Sequence, residues 1–226
     1  IADEFIKAFG GKRIEFESLD LQTYRAAIKN VFGQDIQPHY DIGNAEYVLS
    51  FGADFLSTWV SPTQWEVGYG EFRDSDHSHR GIMTHVDSRF SVTASNADRW
   101  IPIAPGQEGK LALSIAYVII EEGLYPSDVD INGLTSGQGL NALAGYSPEN
   151  IGSQLGTPDN VLGSHSVSEL IRTVAREFAS HRPAIAIGGG TAGASTNGLF
   201  NLESIYLLNH LVGSVGKEGG IVFNPE

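Results

Sequence analysis

Two glycine-rich segments of the chain have residue types that suit the binding of phosphate groups. Residues 50–54 are Ser-Phe-Gly-Ala-Asp, and residues 188–193 are Gly-Gly-Gly-Thr-Ala-Gly, which matches the pattern G-x-G-x-x-G. Each follows a short apolar run, and glycines at a strand end let backbone N–H groups approach an anion. The alternative is that these glycines only make tight exits from the strands. The candidate phosphate-binding residues are Gly52, Ala53, Asp54, Gly188, Gly189 and Gly190.

An acidic residue ends another apolar run and could bind the sugar of a nucleotide. Asp87, followed by Arg89, stands where dinucleotide folds often place an acid against a ribose hydroxyl. It comes 35 residues after Gly52, whereas the usual spacing is about 20. A surface aspartate in a turn is therefore the alternative.

A proline–glycine turn precedes the most apolar segment of the chain. It contains Gly106, Gln107 and Glu108, which are further candidates for binding a nucleotide. Glu108 could accept hydrogen bonds from an amino-substituted base, or it could interact with the dipole of the helix that it begins. The sequence pattern leaves both roles open.

The chain offers little for metal binding or nucleophilic catalysis. His77 and His79 lie near Asp74 and Asp76, but a solvated loop is the favoured interpretation because no other ligands are in view. The sequence contains no cysteine, which excludes disulfides, thiolate metal sites and iron–sulfur ligation within these residues. Neither a G-x-S-x-G elbow nor an H-E-x-x-H helix is present, and Ser195 lacks the strand-to-helix context of a nucleophile. We predict no catalytic residue and no metal ligand here.

Short apolar runs alternate with helical patterns along the chain. Strands are expected at 46–51, 81–87, 100–103 and 183–187. Helices are expected at 18–32 with Ser18 as its cap, at 62–72, at 108–122, from 147, after the capping box of Ser166 and Glu169, and at 202–215. This alternation predicts an α/β fold, a Rossmann-like doubly wound and mostly parallel sheet with helices on both faces. We expect one region over 1–226, with a lobe junction near 132–145.

The composition disfavours some classes of binding partner. The 226 residues carry a net charge of −13, which disfavours nucleic acid and anionic lipid surfaces. The longest apolar run, 111–120, is too short to span a bilayer. No signal peptide is visible and the chain begins at Ile1, so we expect a processed product or an excised piece.

Taken in order, these segments resemble the molybdopterin oxidoreductase superfamily over roughly 41–223. The resemblance lies in the strand and first glycine loop, the acidic strand end, the proline–glycine turn, the Gly188 loop and the glycine-rich ending. With the shorter segments between them, the matching residues are 45–54, 86–89, 93–94, 97–103, 105–108, 146–149, 188–190 and 211–220. Gln107 and Glu108 replace the family's usual Thr and Asp. The resemblance implies a molybdopterin guanine dinucleotide, with pyrophosphates on the Gly52 and Gly188 loops, ribose at Asp87 and guanine at Glu108. It implies molybdenum or tungsten only if the metal is ligated from outside this fragment.

Residues 52–62 are also similar to the large iron–sulfur subunit of alternative complex III, in which a region of this type has lost its cofactor. The resemblance therefore implies a fragment of a respiratory redox-complex subunit, at the periplasmic side of the bacterial inner membrane. Its partners would be the remainder of its own subunit, with iron–sulfur clusters, and the other subunits of a membrane-bound complex. A cofactor-binding module and a cofactor-free scaffold both fit, and a plain NAD-binding domain is a third interpretation.

Overall fold

A four-stranded parallel sheet forms the centre of the structure, a computed structural model that describes residues 2–14, 21–74, 80–158 and 166–223. The strands are β1 (His39–Tyr40), β2 (Tyr47–Phe51), β3 (Ile82–Val86), β4 (Arg99–Ile101), β5 (Ala184–Gly188) and β6 (Ile221–Val222). The main sheet has the order β4-β3-β2-β5, and β1 pairs with β6 in a separate antiparallel ribbon. Every residue of β2 and β5 is buried, as expected of a parallel sheet that is covered on its faces.

The chain reverses its direction of travel across this sheet at β2. It runs from β2 to β3 to β4 on one side and then returns to β5 on the other side of β2. The carboxyl ends of β2 and β5 are therefore neighbours, with Phe51 opposite Gly188. Ligands of open α/β sheets bind at such a switch point, outside the carboxyl ends of the strands.

Helices flank the sheet. They are α1 (Ala2–Phe9), α2 (Gln22–Phe32), α3 (Pro62–Arg73), α4 (Val92–Asn96), α5 (Glu108–Glu121), α6 (Ile131–Leu134), α7 (Pro148–Gly152), α8 (Val167–Ser180) and α9 (Gly198–Leu211). Helix α5 buries Leu111, Ile115 and Ile119 and packs against both α8 and α9. Because it is apolar almost all round, it fills the space between these two helices, and its amino end is held at the carboxyl edge of the sheet.

One side chain completes the free edge of β5. Asn209 on α9 is fully buried, and its Oδ1 accepts from the Ala186 N–H at 2.9 Å while its Nδ2 donates to the Ala186 carbonyl at 3.0 Å. The amide thus replaces a neighbouring strand at this residue. An unpaired strand edge is a template for unwanted pairing, and this contact closes it at its middle.

The predicted fold class is confirmed, and most predicted elements form within a few residues of their expected bounds. The predicted bounds of two helices were wrong. The first long helix starts at Gln22, after Leu21 and without a side-chain cap, and Ser18 lies outside the described residues. The last starts at Gly198 rather than at 202 and ends at Leu211, since Gly213 turns the chain with φ +68°.

Other differences are smaller. The strand expected at 100–103 runs from Arg99 to Ile101, because Pro102 has no N–H to continue the ladder. Helices α1 and α4 and the β1–β6 ribbon were not predicted, since each is eight residues long or shorter. The lobe junction near 132–145 stays a prediction; this stretch contains α6 and a 3₁₀ segment, Gly139–Tyr146, that packs against α5.

Replacing Asn209 with alanine should loosen β5, because the buried Ala186 N–H and carbonyl both lose their partner. We expect a cost of about 2–6 kcal/mol, from about 1–3 kcal/mol for each of the two unsatisfied buried groups. Urea unfolding of the full-length subunit, followed by hydrogen exchange of the peptide that carries β5, measures it. Asn30→Ala is the matched control, since Asn30 is exposed and bonds only to Glu203 in the described structure. Equal effects of the two substitutions would contradict the edge-closing role.

Candidate functional site

The two glycine loops lie backbone against backbone at the switch point. Gly189 N–H donates to the Phe51 carbonyl at 3.1 Å, and Thr191 N–H donates to the Gly52 carbonyl at 3.3 Å. Gly52 has φ +64°, and a Cβ on it would lie 2.4 Å from Thr191 Oγ1 and 2.5 Å from the Ala192 nitrogen. The loops therefore require glycine for their contact with each other, and several of their N–H groups donate within the protein rather than outward.

An indole covers the second loop. A Cβ on Gly189 would lie 2.3 Å from the ring of Trp59, so this ring rests on the glycine backbone. Beside it is a cavity of about 240 Å³ lined by Tyr24, Trp59, Leu202 and residues 189, 190 and 193. Gly189 and Gly190 are thus the predicted loop residues that line open space.

Asp54 ties the first loop to the start of α4. Its Oδ1 accepts from the Thr93 N–H at 3.2 Å and from Thr93 Oγ1 at 2.7 Å, and its Oδ2 accepts from Arg89 Nη2 at 3.1 Å. The carboxylate is nearly buried, whereas the Arg89 side chain is 62% exposed. The structure therefore brings Asp54 and Arg89 together, and the arginine is the cation that this edge presents to solvent.

Asp87 is fully buried, so it is not the surface aspartate of the alternative interpretation. Its Oδ1 accepts from Thr191 Oγ1 at 3.1 Å and from the Arg89 N–H at 3.2 Å. Its Oδ2 has no hydrogen bond to the described residues, and His85 Nε2 lies 3.7 Å away. Burial acts to raise the pKa of Asp87, but His85 and the N–H and hydroxyl donors outweigh it and hold that pKa below its usual range.

Glu108 occupies the first turn of α5 and is also fully buried. Its Oε2 accepts from Asn201 Nδ2 at 3.1 Å, whereas its Oε1 is unpartnered in the described part of the chain. Burial raises the pKa of Glu108, and the charge of Asp87 adds to this, against hydrogen bonds from the backbone of Glu108 and Gly106. The two carboxyl groups are thus pushed in opposite directions by their surroundings.

Two more buried oxygens next to Glu108 lack a partner. They are Gln107 Oε1 and Ser195 Oγ, again counting only the residues that the structure describes. Ser195 lies on the chain after β5 and faces the proline–glycine turn, where a Cβ on Gly106 would come within 3.8 Å of its hydroxyl. Unpaired acceptors so collected suit a ligand that presents N–H or O–H groups.

The predicted candidates thus meet at one edge, from chain segments far apart in sequence. Sequence reasoning did not assign Thr191, Ser195 or Asn201 to the site, and it weighed Ser195 only as a nucleophile. A signal existed for Asn201, because Asn201 and Asn209 are polar and eight residues apart on a helix that is otherwise strongly apolar. The histidines of the weighed metal site, at 77 and 79, lie outside the described residues. Within the described ranges no group of three or more His, Asp or Glu side chains could hold a metal ion.

None of the described helices combines the length and the apolar character needed to cross a bilayer.

Gly52→Ala should destabilise the junction of the two loops by at least about 3 kcal/mol, because a Cβ meets backbone atoms as well as an unfavourable φ. The control is Gly123→Ala, whose φ of +65° is nearly identical but whose Cβ would meet nothing within 4 Å. It should cost only about 1–2 kcal/mol. Chemical unfolding of both variants compares them, and a similar loss in each would show that the loop contact contributes little.

Glu108→Gln should stabilise the fold more at neutral than at acidic pH. Since the native pKa of Glu108 is raised, the native state binds this proton more tightly than the unfolded state, and stability falls as pH rises above about 4. Glutamine removes that dependence. Unfolding measured between pH 4 and 7.5 should show a growing advantage of the variant, on the order of 1 kcal/mol. The exposed Glu66→Gln is the control, and a pH-independent difference would refute the prediction.

The family match and the individual relatives indicate the same family. The family described as "Molybdopterin oxidoreductase" matches residues 1–225. The chain is 27% identical over 192 residues to the menaquinone reductase molybdopterin-binding-like subunit of Nitratidesulfovibrio vulgaris, a match that covers 85% of this chain and 26% of that protein. It is 31% identical over 202 residues to dimethyl sulfoxide reductase of Haemophilus influenzae, covering 80% of this chain and 23% of that protein. The chain therefore spans about a quarter of the length of the curated relatives that it matches.

A solved structure shares the fold. The acetylene hydratase of Pelobacter acetylenicus superposes with a TM-score of 0.66 at 18% identity, over 88% of this chain and 25% of that one. The family match over residues 1–225 shows that the chain belongs to the molybdopterin oxidoreductase family.

Proposed function

We propose that this chain is the part of a redox-complex subunit that holds the guanosine end of a molybdopterin guanine dinucleotide. The observation that carries the proposal is a group of buried acceptors at the carboxyl edge, on Asp87, Gln107 and Glu108, that find no hydrogen-bond partner among the described residues. Leaving a buried acceptor unpaired costs about 1–3 kcal/mol. A ligand that supplies the missing donors accounts for three such groups at one switch point, whereas packing alone does not.

The chemistry of these acceptors fits a guanosine. Guanine presents an N–H and an amino group on one edge, and the Glu108 carboxylate and the Gln107 carbonyl can accept from both. Asp87, at the end of β3, suits a ribose hydroxyl. Ser195 can donate or accept beside them. In this assignment Glu108 replaces the shorter aspartate that the family usually has in the turn, and its buried position at the start of α5 keeps it within the same edge.

The glycine loops offer fewer donors for a pyrophosphate than their sequence suggests. N–H groups of Gly52, Gly189 and Thr191 donate to protein carbonyls, so the charge of a pyrophosphate would be met by the exposed Arg89 and by groups outside this chain. When bound, the metal and pterin of such a cofactor supply the redox chemistry, and the residues described here bind and orient its nucleotide end.

The wider assembly belongs to the same proposal. Relatives of this chain are named as subunits of a menaquinone reductase and of an arsenate respiratory reductase. These names support a subunit of a respiratory complex, with further subunits as partners. An iron–sulfur-bearing remainder of its own chain is a further part of the proposal. We place it at the periplasmic side of the bacterial inner membrane, as a peripheral part.

A specific observation favours a second candidate, a cofactor-free scaffold of the alternative complex III type. The two glycine loops fill each other's space and Trp59 covers Gly189, so the fold does not depend on a phosphate to complete the edge. One relative is itself named molybdopterin-binding-like. In this candidate the same sheet supports the assembly of the complex without binding a pterin.

Analysis of the native complex tests the two candidates. For cofactor binding we expect molybdenum or tungsten near one per subunit and GMP released by acid, measured by mass spectrometry and chromatography. Absence of both, in a complex with haem-containing partners, would overturn the first candidate and support the scaffold.

A variant links that result to the site. Glu108→Gln presents an amide N–H₂ where guanine needs an acceptor, so the released GMP should fall by at least about tenfold, since one lost charged hydrogen bond is about 1.5–3 kcal/mol. Glu66→Gln should leave GMP unchanged. Full GMP content in Glu108→Gln would show that the nucleotide is held elsewhere.

A further inference from the structure

Three tyrosines from separate elements form a buried network behind the second glycine loop. They are Tyr24 on α2, Tyr40 on β1 and Tyr206 on α9, hereafter the tyrosine network, and none is more than 4% exposed. The hydroxyls of Tyr24 and Tyr40 lie 3.1 Å apart, and those of Tyr40 and Tyr206 lie 3.0 Å apart. The Tyr206 hydroxyl in turn donates to the Gly188 carbonyl. The network therefore reaches the residue at which the second glycine loop begins.

One arrangement of the protons makes all three contacts. The Gly188 carbonyl can only accept, so the hydroxyl proton of Tyr206 points at it. Tyr40 must then donate to Tyr206, and Tyr24 must donate to Tyr40, because each hydroxyl has a single proton. Burial raises the pKa of all three hydroxyls, so each keeps its proton at neutral pH. All the hydrogen bonds of the network consequently point towards Gly188.

Helix α9 meets the free edge of β5 through two side chains. Asn209 bonds to the N–H and the carbonyl of Ala186. Tyr206 is three residues earlier on the same face of the helix and bonds to the carbonyl of Gly188. Ala186 and Gly188 are alternate residues of the strand, so their carbonyls point to the same side. Asn209 thus fixes the middle of this edge, and Tyr206 fixes its carboxyl end.

The rings of the network also support the indole that covers the loop. Tyr24 meets Trp59 edge-on with 5.6 Å between the ring centroids, and the Tyr40 ring lies 6.2 Å from that of Trp59. Trp59 rests on Gly189 and, together with Tyr24, lines the cavity of about 240 Å³. The network therefore acts on the loop in two ways, through a hydrogen bond to Gly188 and through the Trp59 ring on Gly189.

We propose that the three tyrosines are positioning residues, whose hydrogen bond to Gly188 holds the second glycine loop in the conformation in which Thr191 orients Asp87. The Thr191 hydroxyl donates to Asp87 Oδ1 at 3.1 Å, three residues beyond the carbonyl that the network binds. The importance of the network for a nucleotide rests on the proposed function, in which Asp87 is the acid at the ribose. Its hold on the loop does not depend on any nucleotide.

Hydrogen exchange of the peptide that carries residues 189–194, in the full-length subunit, tests the proposal. Tyr206→Phe removes the donor to the Gly188 carbonyl and the acceptor of the Tyr40 hydroxyl, so the loop should open at least about tenfold more often than in wild type. Tyr24→Phe leaves every remaining hydroxyl proton with an acceptor and should change the opening by less than about threefold. Equal effects of the two substitutions would overturn the proposal.

Tyr47→Phe is the matched control. Tyr47 is fully buried, and its hydroxyl bonds to Thr84 Oγ1 at 2.7 Å and to Glu177 Oε2 at 3.2 Å. It lies at the amino end of β2, away from the glycine loops. The substitution should therefore lower the stability of the fold without selectively opening residues 189–194. If it opens them as much as Tyr206→Phe does, the positioning role is refuted.

A double-mutant cycle checks the order of the protons. By itself, Tyr40→Phe leaves the Tyr24 hydroxyl without an acceptor and should destabilise the full-length subunit in urea. In the Tyr206→Phe background one hydroxyl proton already lacks an acceptor, and the further substitution leaves that number unchanged. We therefore expect Tyr40→Phe to have little effect in this background. Equal costs of Tyr40→Phe in both backgrounds would contradict the assigned order.

The rate of GMP loss keeps this proposal distinguishable from the proposed function. If the native subunit holds GMP-bearing cofactor, Tyr206→Phe should lose it about tenfold faster on dialysis, in step with the opening of the loop, whereas Tyr47→Phe should match wild type. A wild-type rate in Tyr206→Phe would overturn the link between the network and the ligand. Wild-type protein without GMP, but with the expected difference between Tyr206→Phe and Tyr24→Phe in exchange, would refute only the cofactor assignment.

Discussion

The parallel pairing of β2 with β5 is the contact on which the rest of this edge depends. It places Phe51 opposite Gly188, so that the chain leaves both strands at the same level and the two glycine loops meet. A side chain at Gly52 would collide with the backbone of the opposite loop, so the close approach of the loops depends on glycine. From this junction the Thr191 hydroxyl reaches Asp87, and Asn201 on α9 reaches Glu108 on α5. Asp87 at the end of β3 and Glu108 on α5 are thereby oriented by hydrogen bonds from residues that follow β5 in the chain.

Sequence reasoning predicted the parts of this edge that leave a local signal. The apolar runs of β2 and β5, the glycines after them, Asp87 at a strand end and the proline–glycine turn could each be recognised from neighbouring residues. Their convergence follows from the switch in strand order, which a pattern of alternating strands and helices already favours. The mutual filling of the glycine loops could not be predicted, because residues 52 and 191 are distant in sequence and the pattern is the same whether their N–H groups point at a ligand or at each other.

The polar residues that the sequence did not reveal share a physical reason. Ser195, Thr191 and Asn201 act through one tertiary contact each, and a single serine, threonine or asparagine is compatible with a loop or a helix in many settings. His85 is a further case, since the strand register that sets it opposite Ser50 and brings its ring near Asp87 leaves no local signal in the sequence.

The distribution of hydrogen-bond donors and acceptors along the carboxyl edge of the sheet bears on whether a nucleotide binds there. A dinucleotide needs acceptors for its base and sugar and donors for its phosphates. Here one acceptor each of Gln107 and Glu108 is unpaired within the described part of the chain, at a cost in stability, while N–H donors of the two loops are satisfied by protein carbonyls. Evolution of a pure scaffold would be expected to remove the unpaired acceptors first, because nothing offsets their cost, whereas donors paired within the protein cost nothing to keep. The unpaired acceptors, rather than the glycines, are therefore the stronger physical support for the proposal that a guanosine binds at this edge.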